Sequence, residues 1–213
     1  MLFPDRTAAG KKLARALDSY RGQPVVVYAL PRGGVVLGAE VARFLSAPLD
    51  LIVVRKIGHP LQPEYAIGAV AEDGDVIRNP AEPATRDTRW FNQAVERARQ
   101  EARRQRKLFL GNDHSISPEG KIAIIVDDGL ATGFTMLAAI QEIRKWRPQK
   151  VVVAVPVAAP DIADKIRTEV DDLVVLYIPE WLGAIGAFYD QFSQVSDEEV
   201  IALMKDPSSR KAS

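Results

Sequence analysis

Five short runs of apolar, mostly β-branched residues constrain the fold of this 213-residue chain more than any other feature. None of them alternates between apolar and polar residues. Continuous apolar runs of this length are typical of parallel strands that are covered on both faces of a sheet. The runs span residues 25–29, 51–54, 122–126, 151–155 and 173–177.

Segments with helical character separate several of these runs. Residues 34–45 follow the first run, residues 135–146 the third and residues 161–170 the fourth. This alternation predicts an α/β fold with a doubly wound, mainly parallel five-stranded sheet flanked by helices. In such sheets ligands bind beyond the carboxyl ends of the strands, so the loops that follow the runs are the candidate site.

The alternation breaks between the second and third runs. Residues 55–80 are rich in glycine and proline and predict a small hairpin around 67–70 and 75–77. Residues 85–109 predict one long helix, because apolar residues recur along one narrow stripe. That stripe consists of Phe91, Val95, Ala98, Ala102 and Phe109.

The predicted long helix is strongly basic, with eight basic and three acidic residues between positions 86 and 107. We interpret residues 78–118 as a helical insertion that forms a lid over the ligand edge, and residues 178–205 as a C-terminal cap. Ser196 and Glu199 form a capping box that opens a short helix ending near Met204. The basic residues are Arg86, Arg89, Arg97, Arg99, Arg103, Arg104, Arg106 and Lys107.

Composition excludes several classes of site and partner. The chain has no cysteine, so disulfides, thiolate metal sites and cysteine nucleophiles are excluded. Basic and acidic residues both total 28, which gives no global charge argument for nucleic acid. No apolar run approaches a membrane span and the N-terminus does not read as a secretory signal, so we expect a cytoplasmic protein. We expect one domain over residues 1–213 and a disordered tail over 207–213.

The loop after the third run has the features of an anion site. Residues 126–135 read Val-Asp-Asp-Gly-Leu-Ala-Thr-Gly-Phe-Thr, and a helix begins near Phe134. Backbone N–H groups of such a turn and the positive helix terminus bind anions. Two adjacent carboxylates repel a phosphate, but they suit sugar hydroxyls or a nearby metal. The alternative is a generic strand–turn–helix in which Asp128 caps the helix and Thr135 packs.

The complete string resembles the ribose-phosphate motif of type I phosphoribosyltransferases, almost position by position. The resemblance covers roughly residues 24–180, and the insertion at 85–109 is its main departure. It implies that this loop binds the 5'-phosphate and ribose of 5-phosphoribosyl 1-diphosphate (PRPP). The residues concerned are Asp127, Asp128, Gly129, Leu130, Ala131, Thr132, Gly133, Phe134 and Thr135.

Two further loops match the same resemblance as binding sites for pyrophosphate. Pro31, Arg32, Gly33 and Gly34 follow the first run, where a guanidinium and helix N–H groups would clamp a diphosphate. The resemblance places a cis peptide at Pro31–Arg32. Arg55 and Lys56 follow the second run and are expected to approach the pyrophosphate as well. The alternative in both places is an ordinary turn with solvated basic side chains.

The segment after the fifth run carries three aromatic residues, Trp181, Phe188 and Tyr189. The resemblance implies that rings in this position stack on the acceptor base. The alternative is that they close the core beneath the C-terminal cap. No single nucleobase specificity is recognisable in this segment, so the acceptor stays open between purine, pyrimidine and other nitrogen compounds.

The activity implied is that of a phosphoribosyltransferase in purine or pyrimidine salvage, transferring the phosphoribosyl group of PRPP to a nucleobase with Mg²⁺ as cofactor. The expected catalytic residues are Asp127, Asp128, Arg32 and Lys56, with Mg²⁺ held mainly by the donor and reached by the two acids through water. The sequence does not identify a general base: His59 and Glu64 in the loop after the second run are candidates, and the alternative for the histidine is a simply exposed side chain. The resemblance also implies a homodimer.

Three alternatives remain open at this point. The first is a regulator that senses PRPP or nucleotides and binds RNA, DNA or protein through the basic helix at 85–107. The acids within that helix and the balanced total charge disfavour nucleic acid as a partner. The second is an inactive subunit that keeps the fold. The third is hydrolysis, in which water replaces the acceptor.

Overall fold

A five-stranded sheet, parallel at every pairing, forms the centre of the computed structural model, which describes residues 2–79, 88–111 and 115–206. The order across the sheet is β2-β1-β6-β7-β8, so the chain starts near the middle and winds outwards both ways. This confirms the predicted fold class. In chain order the strands are β1 (Val25–Ala29), β2 (Leu49–Leu51), β6 (Ile122–Val126), β7 (Lys150–Val157) and β8 (Asp172–Tyr177); β3 to β5 form a second sheet.

Helices cover both faces of the central sheet. Alternate strand residues pack on opposite faces, for example Val27 on one and Tyr28 on the other, which is why the strand sequences are apolar throughout. One face carries α1 (Arg6–Ala16), α2 (Gly33–Leu45) and α6 (Asp197–Lys205), and the other carries α4 (Phe134–Lys145) and α5 (Pro160–Arg167).

Two of these helices show clear capping chemistry. The predicted capping box at the start of α6 is confirmed, with Ser196 and Glu199 each accepting from the other's backbone N–H. Helix α1 is not among the predicted helices. It begins after Asp5, whose side chain accepts a hydrogen bond from the N–H of Ala8, and it buries Leu13 against the sheet.

The second sheet is larger than the predicted hairpin. Strands β3 (Val54–His59), β4 (Gln62–Ala71) and β5 (Ile77–Arg78) pair antiparallel. The predicted second strand over residues 51–54 is therefore wrong in its bounds. Strand β2 of the central sheet ends at Leu51, and Val54 begins β3 of the second sheet. Arg55 and Lys56 consequently lie within β3 and not directly after a strand of the central sheet.

The predicted long helix is present as α3 (Thr88–Leu110) and covers the second sheet. Its apolar stripe buries Phe91 and Val95 against Ile57, Ile67 and Val70 of β3 and β4. These contacts make the helix and the small sheet one packed layer. Whether residues 78–118 open and close as a lid stays a prediction, as do the single-domain division and the cap over residues 178–205. Arg86, Pro80 and the tail over 207–213 lie outside the described residues.

A buried ion pair fastens α3 to the central sheet. Asp50 of β2 is only 2 % exposed, and Arg106 donates to its Oδ1 at 2.8 Å. The backbone N–H of Ile116 donates to the other oxygen at 2.7 Å. Arg106 also donates to the carbonyl of Leu51. Along the described ranges, no helix has the length and apolar character needed to cross a membrane.

Candidate active site

Two adjacent acids at the carboxyl end of β6 form the centre of the site. Oδ1 of Asp127 accepts from the N–H of Asp128 at 2.8 Å, and Oδ2 of Asp128 accepts from Nε of Arg6 at 2.8 Å. Burial raises the pKa of both carboxyls, and the charge of Asp128 raises the pKa of Asp127 further. Arg6 opposes this shift at Asp128 through its hydrogen bond and its charge.

The N-terminus of α2 packs directly against these acids. A Cβ on Gly33 would lie 1.9 Å from Oδ2 of Asp128, and one on Gly34 would lie 2.7 Å from the carbonyl oxygen of Val126. Both positions therefore require glycine for the loops after β1 and β6 to meet. The Pro31–Arg32 peptide is cis, as the resemblance implies.

The basic residues predicted for pyrophosphate take different positions. Nε of Arg32 lies 2.7 Å from Oδ1 of Asp197, and both side chains are 35 % exposed. An ion pair this exposed is weak, so an incoming anion can replace the aspartate. Lys56 is exposed and lies close enough to Asp127 to lower the pKa of that acid. Arg55 instead donates to Gln105 of α3 at 3.3 Å.

The turn after the acids leads into the N-terminus of α4. Gly133 has φ 75°, a left-handed conformation that favours glycine, and no side chain caps the helix. The first N–H groups of a helix have no partner within it, so they are available to an anion here. Thr132 is exposed and Thr135 half-buried beside them. Leu130 differs, because it is buried and its N–H bonds to Val157 at 2.9 Å.

The three aromatic candidates for stacking on an acceptor differ in exposure. Trp181 is 82 % exposed, and Phe188 is half-buried with its ring against Tyr177. Tyr189 is only 2 % exposed, its ring contacts Phe3 and Phe192, and its hydroxyl donates to the carbonyl of Asp128 at 2.8 Å. Its burial is incompatible with the stacking role predicted for it, and Trp181 is the exposed ring of the three.

The candidate general bases lie on the small sheet. His59 accepts from the N–H of Leu61 at 3.2 Å through Nδ1, in the turn between β3 and β4. Glu64 is in β4, and its side chain lies outside the described residues. Neither position is enough to assign His59 or Glu64 as the general base.

An open cleft of about 460 Å³ lies between β3 and α3. It begins at Lys56 and has a size that suits a small molecule. Its polar lining is mostly basic, so it favours anions. The lining includes Arg55, Lys56, His59, Trp90, Arg97 and Glu101.

Asp127 and Asp128 could contact Mg²⁺ only together with a ligand that itself binds the ion. Over the described ranges no group of three or more histidine and acidic side chains is placed to hold a metal ion. Asp127 and Asp128 supply carboxylate oxygens, which Mg²⁺ accepts, but one of the two carboxylates is already bound to Arg6. These acids therefore suit contact through water to an ion held by a ligand's phosphates.

Comparison with known proteins identifies the family to which this chain belongs. The model of the phosphoribosyl transferase domain matches residues 4–192, which includes the loops after β1 and β6. The chain belongs to this family of glycosyltransferase-type enzymes.

Its relatives include proteins of similar and of greater length. The crystal structure of TT1426 from Thermus thermophilus superposes with a TM-score of 0.80 at 38 % identity, covering 96 % of this chain and 98 % of that one. The "Putative phosphoribosyl transferase Rv0571c" of Mycobacterium tuberculosis is 44 % identical over 95 % of this chain. The adenine phosphoribosyltransferase of Marinobacter nauticus is 27 % identical, over 85 % of this chain and 83 % of its own length.

The lengths differ in one important respect. The match covers 46 % of the mycobacterial protein, so this chain spans about half the length of those curated relatives.

Arg6 is the site residue that the sequence reasoning missed. It lies on α1, and its partners at the site are 122 and 187 positions away along the chain. No local pattern could reveal it, although Asp5 gave a usable signal for the helix that carries it.

Proposed function

We propose that this chain transfers the phosphoribosyl group of PRPP to a nitrogen acceptor, a nucleobase, and releases diphosphate. The observation that carries the proposal is the position of Asp127 and Asp128 between two helix N-termini. The α2 terminus touches the acids, and the α4 terminus follows them within six residues. Two anion sites on either side of two carboxylates, which can accept hydrogen bonds from hydroxyl groups, suit a sugar with a phosphate at each end.

The 5'-phosphate of the donor would bind at the second terminus. Thr132, Gly133 and Thr135 offer hydroxyl and N–H donors there, together with the backbone of Ala131 and Phe134. This phosphate does not react. Its binding energy holds the anomeric carbon in place for attack.

The acids would hold the ribose while the bond to diphosphate breaks. Asp127 and Asp128 accept hydrogen bonds from the 2'- and 3'-hydroxyls, and their negative charge favours a transition state with positive charge at the anomeric carbon. Arg32 and Lys56 would balance the charge of the departing diphosphate from the other side. Mg²⁺, when bound to the donor, neutralises further charge on the leaving group.

The acceptor would lie beside the C-terminal cap, with Trp181 as the stacking ring because it is the exposed one. The similarity to an adenine phosphoribosyltransferase supports a purine. We also propose that the protein acts in the cytoplasm as a homodimer, as the family resemblance implies.

Diphosphate release from PRPP and Mg²⁺, measured against a panel of nucleobases, tests the proposal. We expect release with one base or a small group of bases. Changing Asp127→Asn together with Asp128→Asn should abolish release. The chain offers a matched control in Asp171 and Asp172, an adjacent acid pair at the amino-terminal end of β8. This is the opposite end of the strands from the candidate site, so the same double change there should leave release intact.

Two results would contradict the proposal. Full turnover by the Asp127→Asn, Asp128→Asn variant would remove the acids from the mechanism. Tight PRPP binding without release, with any base or with water, would instead favour the regulator.

A further inference from the structure

Arg6 makes three contacts that join both ends of the described chain to one acid. Its Nε lies 2.8 Å from Oδ2 of Asp128, and its Nη1 lies 2.7 Å from the carbonyl oxygen of Ser193. The face of its guanidinium stacks on the ring of Phe192, 3.8 Å from the ring centre. The arginine side chain is 11 % exposed and the aspartate 17 %. The guanidinium is therefore held in one orientation.

The same acid is held at two other points. The hydroxyl of Tyr189 donates to its backbone carbonyl, and its N–H is bound by Asp127. Of the side chains in residues 2–79, 88–111 and 115–206, only that of Arg6 donates to the Asp128 carboxylate. Backbone contacts thus fix the position of the residue, while Arg6 fixes the rotation of its carboxylate.

We propose that Arg6 is a positioning residue for the sugar donor: by binding Oδ2 of Asp128 it turns Oδ1 towards a ribose hydroxyl. This inference rests on the proposed function, since it takes Asp128 as a ribose ligand. A charge-assisted hydrogen bond of this geometry is directional, and an arginine with its planar fork keeps that direction better than a lysine does. Arg6 does not touch the reacting atoms.

Burial alone does not account for this arrangement. An arginine whose only task was to fasten α1 could pair with any surface acid. Here it reaches the central loop of the site and is stacked by an aromatic ring from the C-terminal segment. Two distant segments are thus used to orient one carboxylate oxygen, which is the kind of support that ligand-binding groups require.

Isothermal titration calorimetry with two ligands separates positioning from general stability. Ribose 5-phosphate has the hydroxyls, whereas tetrahydrofurfuryl phosphate keeps the ring and the phosphate without them. Arg6→Ala should weaken ribose 5-phosphate binding by about 10- to 100-fold, the loss expected for one hydrogen bond to a charged group. Binding of tetrahydrofurfuryl phosphate should change less than about 3-fold, since its phosphate is bound elsewhere in the site.

Two further variants keep the test decisive. Arg6→Lys retains the charge and should recover part of the affinity for ribose 5-phosphate, and it serves if Arg6→Ala fails to fold. In an Asp128→Asn background the loss caused by Arg6→Ala should largely disappear, because the two residues act as one unit. Arg15→Ala is the matched control, since it removes an exposed arginine from the same helix.

The possible outcomes separate the inference from the proposed function. Equal weakening of both ligands, or no weakening of either, in Arg6→Ala would overturn the positioning role while leaving the transferase intact. A wild-type protein that binds neither ribose 5-phosphate nor PRPP would overturn the proposed function itself. A selective loss for the hydroxyl-bearing ligand would support the inference.

Discussion

At the scale of single residues, the close contact between Gly33 and the carboxylate of Asp128 defines the site. Gly33→Ala places a methyl group on Oδ2 of Asp128, so the acid and Arg6 must move. We expect this variant to lose ribose 5-phosphate binding, measured by calorimetry. Overpacking of this kind also costs about 1–3 kcal/mol of stability.

Gly38→Ala on the same helix is the matched control. Its new Cβ would meet the side chain of Ala29 of β1 at 2.8 Å and neither of the two acids, so stability should fall while ligand binding by the folded protein is kept. Loss of binding in both variants, or in neither, would show that contact with the acid is not what makes Gly33 necessary.

The residue scale also shows which parts of the site could be predicted. Asp127, Asp128 and the turn to Thr135 lie in one continuous stretch, so local sequence is enough to propose a role for them. Arg6 and Tyr189 reach Asp128 across 122 and 61 positions, and neither has a distinctive neighbourhood. Tyr189 was predicted to stack on an acceptor because it is aromatic, and only the packed structure shows it holding a backbone carbonyl.

At the scale of elements, a buried ion pair helps to hold α3 against the central sheet. Arg106→Ala leaves the carboxylate of Asp50 buried without its cation, which costs about 3–5 kcal/mol. Arg104 lies two positions before Arg106, and Arg104→Ala removes only an exposed pair with Glu101, which should cost at most about 1 kcal/mol. Urea unfolding of the two variants measures the difference, and equal losses would contradict the anchoring role of Arg106.

Glu72, near this ion pair, should make stability depend on pH. Burial raises the pKa of Glu72 to about 7, although Arg106 opposes the shift; Asp73, Glu142 and Asp50 add to it. The folded state therefore binds this proton more tightly than the unfolded state does. Its stabilising effect is full below about pH 4.5 and is lost as pH rises through about 7.

Glu72→Gln should remove that dependence. We expect the variant to melt about 2–4 °C above the wild type at pH 8, and the two proteins to melt together at pH 4.5, as judged by thermal scans. A wild type whose stability rises between pH 5 and 8 as steeply as that of the variant would contradict the shifted pKa.

The helices and strands could be predicted where the pattern of apolar residues alone determines them. Four of the five central strands, together with α2, α3 and α4, follow from apolar runs and periodicity. The boundary between β2 and β3 did not, because residues 51–54 form one apolar run that two sheets share. At the end of β2 the carbonyl of Leu51 accepts from Arg106, which also pairs with Asp50 and lies 56 positions after it.

At the scale of the whole molecule, the basic helix has less free charge than its sequence suggests. Arg99, Arg103, Arg104 and Arg106 are all paired with carboxylates. Each of these carboxylates has to be displaced before its arginine can bind a phosphate, which lowers the net gain from binding a nucleic acid. This weakens the regulator alternative, which relied on the charge of that helix.

The salt dependence of RNA binding tests this conclusion. We expect a plot of log K against log salt with a slope shallower than about −2, since each phosphate contact with a single strand contributes about −0.7. Fluorescence anisotropy with a labelled single strand measures it. A slope of about −5 or steeper would show that the arginines exchange their carboxylates for phosphates and would restore the regulator.

The contacts of Asp128 also set an order of events during synthesis. A ribosome makes Arg6 long before its second partner, because Ser193 is added 187 residues later. Tyr189, which holds the same acid from behind, is made only four residues earlier. A nascent chain that already contains every strand of the central sheet thus still lacks a finished pocket. A ligand that binds at Asp128 can therefore gain the full support of Arg6 and Tyr189 only after residue 193 has been added.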